Sequence, residues 1–315
     1  MTKRMAACVA LAILVLAAGQ TARADGVQLR LRLEKGDVLT QTITTVQQIR
    51  QTFMGNPMDM TQEMAFELTQ RVTDVDAEGT ASVQMVYDAV RFRQKAAQGE
   101  FIYDSKEPEA ASHPMARGFT ALVGQALTMK FHADGRVSDV QGSEAIAARL
   151  VESMGLTEGP QKDMALQQFK EQFGADAIRQ SLEQAMKIYP EGPVDVGDSW
   201  DAVMTLKQTF PATIASTYTV SERRDGVTFL DVKGAVTSDP EAKPMEMGPL
   251  KMTYKLDGTQ SGTVEIVEAN GLSRKSVIEQ KLEGTVRIEG MPGQAAGQNM
   301  PMSIVSTFTV TTDTK

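Results

Sequence analysis

The sequence predicts an α+β fold: a curved antiparallel β-sheet from two similar β-rich halves, with a central amphipathic helical segment packed against its concave face. Three observations predict it. Apolar and polar residues alternate with the period of a strand over most of the chain, helical spacing dominates between Ser143 and Tyr189, and the order of turns and strands before that segment recurs after it. The division that follows is 1–24 as a signal peptide, 25–142 as the first β-rich half, 143–190 as the helical segment and 191–315 as the second half, with 25–315 as one folded unit.

The first residues, "MTKRMAACVALAILVLAAGQTARA", combine Lys3 and Arg4, an apolar run from Met5 to Ala18, and an Ala22-x-Ala24 cleavage signature. They predict export to the periplasm or the extracellular space, with the mature chain starting at Asp25. Cys8 lies in the apolar run with no lipobox around it, so the mature chain is expected to carry no cysteine. About 290 residues are enough to bury a core without disulfides. Removing Lys3, Arg4 and Arg23 changes the formal charge from −8 to −11, an acidic balance that argues against nucleic acid as a partner. No second apolar run reaches the roughly 18 to 20 residues needed to cross a bilayer.

In "VQLRLRLEKGD", Val27, Leu29, Leu31 and Leu33 alternate with Gln28, Arg30, Arg32 and Glu34, which predicts a strand. Residues 66–92 predict two strands around Asp76-Ala77-Glu78-Gly79, and residues 127–142 a hairpin around Asp134-Gly135. A short helix is predicted near 114–127. Ser143 is the expected N-cap of a helix with Ile146, Leu150, Val151 and Met154 on one face. The run "KDMALQQFKEQFGADAIRQSLEQAMKIYP" places Phe169, Phe173, Ile178, Leu182 and Met186 at helical spacing, with Gly174 as a possible break and Pro190 as the stop.

The second half mirrors the first. "KGDVLTQTITT" (35–45) parallels "VGDSWDAVMTL" (196–206), and "MKFHADGRVSDVQG" parallels "VEIVEANGLSRKSVI". Each half thus opens on a Gly-Asp turn that feeds a strand. In this reading Gly197 and Asp198 form the turn, Asp198 caps nearby backbone N–H groups, and Trp200 is a core anchor.

The element "YPEGPVDVGDSW" (189–200), with an amphipathic helix before it, resembles a family of bacterial secreted proteins that carry Pro-x-x-Pro-Val-x-Val-Gly-Asp-x-Trp; Pro190, Pro193, Val194, Val196, Gly197, Asp198 and Trp200 match. The resemblance implies no activity. The pattern of long strands with a helical lid is also similar to exported lipoprotein-carrier folds, which hold acyl chains between sheet and helices.

Three chemical readings compete. Gly197-Asp198-Ser199-Trp200 approaches the Gly-Asp-Ser-Leu signature of a hydrolase, but that chemistry needs an Asp-x-x-His downstream, and the histidines, His113 and His132, both precede Ser199. The segments 53–64, 243–252 and 290–302 are rich in methionine; Met54, Met58 and Met60 would suit Cu(I), although flexible methionines also fill gaps under loops. "DVDAEGTASVQM" (74–85) imitates a calcium loop but places Met85 where a bidentate Glu is required. The expectation that remains is a non-enzymatic exported protein without cofactor. It binds a lipid or other apolar ligand, or another envelope protein, between sheet and helices, with Phe169, Phe173, Ile178, Leu182 and Met186 as the candidate ligand stripe.

Overall fold

The computed structural model of the chain describes residues 26–53, 56–107, 116–156, 158–206, 211–242, 244–247, 250–290 and 297–314. The segment 1–24 expected to be a signal peptide, Met54 and His113 lie outside them. The described residues form one antiparallel sheet of thirteen strands: β1 (Val38–Phe53), β2 (Asn56–Val75), β3 (Ala81–Ala96), β4 (Gly99–Asp104), β5 (Ala126–Phe131), β6 (Val137–Gln141), β7 (Ser199–Leu206), β8 (Ala212–Arg224), β9 (Val227–Ser238), β10 (Met245–Met247), β11 (Leu250–Val267), β12 (Ser273–Glu289) and β13 (Gln298–Thr314). The helices are α1 (Ala116–Leu122), α2 (Ser143–Ser153), α3 (Pro160–Phe173) and α4 (Ala175–Ala185), followed by a 3₁₀ turn at Met186–Ile188.

This corrects the expected fold class. Strands make up 60% of the structure and helix 17%, so the protein is mainly β, not α+β. The reason is strand length. β2 runs for 20 residues and β11 for 18, against a common strand of about 5 to 6. The helices expected between 143 and 189 are present, and Gly174 does split α3 from α4, but they are small beside such a sheet.

The sheet order is β6-β5-β3-β2-β1-β13-β12-β11-β9-β8-β7, with β4 added to β3 and β10 to β11. β13 therefore joins the two halves by pairing with β1 on one side and β12 on the other. Helix α4 touches both terminal strands, β6 and β7. Two adjacent side chains secure it. Glu183 Oε1 accepts from the Val137 N–H of β6 at 3.1 Å, and Gln184 Oε1 accepts from the Thr205 N–H of β7 at 3.3 Å. Edge strands carry backbone groups that must be paired or covered. Here one helix covers an edge at each side, so the sheet curls into an interrupted barrel with α4 in the gap.

The opening turns of the two halves repeat atom for atom. The Glu34 N–H donates to Asp37 Oδ2 and the Asp195 N–H to Asp198 Oδ2, each at 2.8 Å; Gly36 and Gly197 have φ of 98° and 89° and donate to the Val72 and Val220 carbonyls, each at 2.9 Å. A β-bulge then falls just after Val72 in β2 and just after Val220 in β8, with Thr73 and Ser221 hydroxyls donating across the ladder to the Ser82 and Phe229 carbonyls. Positive φ favours glycine, and a bulge needs one extra residue in register, so the same local chemistry has produced the same geometry twice.

Two local expectations change. The alternation over Val27–Leu33 does not form a strand: apart from a single bridge between Val27 and Val194, this segment has no ladder. Its burial still alternates, because it is an extended strap across the open end of the sheet. Leu29 is 0% exposed in the core with Val194, Val220, Leu230 and Ile266, while Leu33 packs on the core around Val72, Val83 and Leu127. Ser143 is the first residue of α2 and not its cap; Gly142, with φ of 93°, occupies the cap position because a Cβ there would meet the Ala126 carbonyl.

Candidate functional site

The long strands carry a polar row that crosses the inner face. In register across eight neighbouring strands lie Ser216, Gly234, Gln260, Gln280, Ser306, Gln47, Gln62 and Gln94. An amide in an apolar interior must find partners, and these find one another. Gln260 donates to Ser216 Oγ at 2.7 Å, Gln280 to Gln260 Oε1 at 2.9 Å, Gln47 to Ser306 Oγ at 3.2 Å and Gln62 to Gln94 Oε1 at 3.1 Å. Apolar rows flank it on both sides, Ile214, Val236, Leu282, Ile304 and Ile49 on one and Tyr218, Val232, Ile278 and Phe308 on the other.

Between this face and α4 lies a cleft of about 860 Å³. Its sheet wall includes Ile49, Leu256, Leu282, Met302, Ile304 and Phe308, with Gln47, Gln280 and Ser306 of the polar row; Gln180, Ser181, Gln184 and Ala185 of α4 face them. A larger recess of about 1190 Å³ sits under the strap, but charged side chains line it, including Arg136 and Glu183, which are paired to Asp134 and Arg179. The apolar lining makes the cleft beside α4 the candidate ligand site, since small-molecule sites are mostly apolar with a few placed polar groups.

The predicted stripe is divided among three places. Phe169 and Phe173 stack on each other along α3, ring centroids 5.9 Å apart, and Phe173 is 48% exposed. Ile178 and Leu182 pack against the core of the first half, and Met186 lies in the charged recess next to Gly135. None of the five lines the cleft beside α4. The face of α4 turned to that cleft is polar or small, which apolar periodicity does not reveal. The signal that could have found the site is a glutamine in the middle of the long strands, in "VQQIRQ", "TQEMAF", "GTQSGT" and "IEQKLE".

Trp200 stacks on Tyr218, centroids 5.8 Å apart, and its indole N–H donates to the Ile188 carbonyl at 3.0 Å, fastening the end of the helical segment to the sheet. Nearby, the Tyr189 hydroxyl donates to the Gly271 carbonyl at 2.7 Å, and burial pushes its pKa up, so it stays a donor. Arg223 bridges Asp195 and Glu268 at 3.0 and 2.9 Å; its guanidinium, with the Thr228 hydroxyl, holds the Glu268 carboxyl below the usual carboxylate range. Ser199 opens β7 opposite Thr219 and is exposed. His132 instead contacts Thr80 Oγ1 and Ser138 Oγ at 3.4 and 2.8 Å. Met58 and Met60 sit on β2, not in a loop; Met60 Sδ accepts from Gln62. Among the described residues no cluster of His, Cys, Asp or Glu could hold a metal, and no helix is long and apolar enough to cross a membrane.

A family of unknown function (DUF6263) matches residues 78–273, from the β2–β3 turn to the first residue of β12. The chain belongs to this family. The DUF6263 match includes all four helices and Gly197, Asp198 and Trp200, and leaves β1, β2, β13 and all but the first residue of β12 outside. No curated protein matches the chain. Among solved structures, lipovitellin, described by its lipid–protein interactions, is similar at 10% identity with a TM-score of 0.45; the match covers 89% of this chain and 25% of that one. An outer membrane channel from Pseudomonas putida F1 is similar at 8% identity with a TM-score of 0.24, covering 90% and 98% of the two chains. The translocator domain of the autotransporter NalP from Neisseria meningitidis has 8% identity and a TM-score of 0.19, covering 89% and 90%.

Proposed function

We propose that this member of the family is an exported, non-enzymatic binding protein that holds one amphipathic, mostly apolar ligand between α4 and the sheet. The observation that carries the reading is the cleft of about 860 Å³ with apolar side chains on its sheet wall. Protein interiors are close-packed, and a space of this size beside Leu282 and Ile304 forfeits the contacts that a core would make. Its volume falls within the roughly 300–1,000 Å³ of ligand sites. The arrangement of α4, bonded through Glu183 and Gln184 to both sheet edges, gives the cleft a wall that can shift without breaking the strand ladders.

Ala185, exposed at the end of α4 and on the cleft wall, offers the test. Titration with the uncharged fluorophore N-phenyl-1-naphthylamine is expected to show saturable binding to the parent. In Ala185→Trp the indole fills the cleft, and affinity falls by about tenfold or more at an unchanged melting temperature. Equal binding by both proteins, or none by the parent, contradicts the reading.

A further inference from the structure

We infer that the ligand of this cleft is an uncharged amphiphile, with a hydroxyl, ester or amide group hydrogen-bonded by Gln47, Gln280 and Ser306. The inference rests on the function proposed above and names its ligand class. None of the side chains lining the cleft is charged: its polar groups are glutamine, serine, threonine and tyrosine from the sheet and from α4. A carboxylate or phosphate drawn inside would lose its hydration with no cation to replace it, and the cost of burying an unpaired charge exceeds that of any neutral head group.

The polar row supplies the matching half of the argument. Gln280 donates toward Gln260, and Ser306 accepts from Gln47, both away from the β12–β13 step between them. Although Gln280 and Ser306 are register partners, no hydrogen bond joins their side chains among the described residues. The chain of bonded amides is thus interrupted in the floor of the cleft. There the Gln280 carbonyl and the Ser306 hydroxyl proton remain as acceptor and donor, a pair that a glycerol-like hydroxyl or an ester can satisfy together. On either side along the strands the floor is apolar, with Leu282 and Ile304 in one direction and Phe308 in the other, so an acyl chain can lie over it while its neutral group meets the row.

The test compares 1-monolauroylglycerol with laurate, which share one acyl chain, at about pH 8, where the acid is ionised. Calorimetric titration is expected to give affinity for the monoglyceride about tenfold or more above that for laurate in the parent. In Gln280→Lys the added ammonium should reverse that order, and Gln280→Leu should weaken the monoglyceride and narrow the gap, while laurate still meets a cleft without a cation. Laurate bound as tightly as the monoglyceride by the parent overturns the inference and leaves the cleft reading standing. A preference unchanged in both variants overturns the role of the polar row. Neither compound bound, with no shift in melting temperature, overturns the cleft reading and this inference with it.

Discussion

Leu29→Ala is expected to lower the stability of the folded chain by about 3 to 5 kcal/mol, the upper range for emptying a fully buried leucine site. Leu29 is 0% exposed although its segment belongs to no ladder. It is held among Val194, Val220, Leu230 and Ile266, while the strap that carries it also places Leu33 on the core of the first half. The backbone of the strap is anchored at few points: both Val27 bonds to Val194, at 2.9 and 3.0 Å, and the Arg32 N–H to the Asn270 carbonyl at 2.7 Å. Side-chain burial must therefore fix it, and a cavity at Leu29 cannot be relieved by a neighbouring strand. Urea unfolding of the variant should show a lower midpoint at an unchanged slope. A loss under about 1 kcal/mol would mean that the strap is peripheral to the fold.

The second large effect is expected at the glycines of β11 and β12. Gly258 and Gly262 sit on the inner face between long strands, where a Cβ would run into the carbonyl oxygens of Lys281 and Val277 on β12. Gly284 on β12 faces the Lys255 carbonyl in the same way. Strand glycines mark tight bends and close backbone approach. These three occupy adjacent strands on the inner face, where the two backbones leave no room for a side chain. Gly258→Ala and Gly262→Ala are each expected to cost about 3 kcal/mol or more, because backbone atoms, not flexible side-chain ends, must move. Gly118→Ala serves as the contrast. Nothing lies within 4 Å of the added methyl in α1, and helix propensity favours alanine by roughly 0.5–1 kcal/mol. Thermal melts of the three variants separate the cases; a neutral Gly262→Ala would show that the β11–β12 pairing tolerates a side chain at this position.

Local features of the fold were legible in the sequence, and its proportions were not. Asp76–Gly79 and Asp134–Gly135 mark real hairpins, "SWDAVMTL" is β7, and the Gly-Asp turns before β1 and β7 share their hydrogen bonds. Each of these depends on chemistry within a few residues. The far ends of β1 and β2 were hidden because Gln47 and Gln62 occupy inward positions where alternation calls for apolar residues. The polar row that breaks the pattern is the same row that floors the cleft. Likewise the apolar stripe of α4, Ile178 and Leu182, reports packing against the first core, while Gln180, Ser181 and Gln184 on the cleft wall look like solvent-facing residues in a one-dimensional reading. The strap kept the period of a strand, since extended chain across an apolar floor buries every second residue with or without a ladder.

The central claim is that the space between α4 and the sheet is occupied by a ligand in its native setting. The most direct measurement is native mass spectrometry of the mature chain, exported by a bacterial host and purified without detergent, beside Ala185→Trp prepared in the same way. The account predicts an adduct of one neutral lipid per chain in the parent, released on denaturation and absent from the variant. A parent that is folded and carries no adduct, or an adduct equally present in Ala185→Trp, would contradict it.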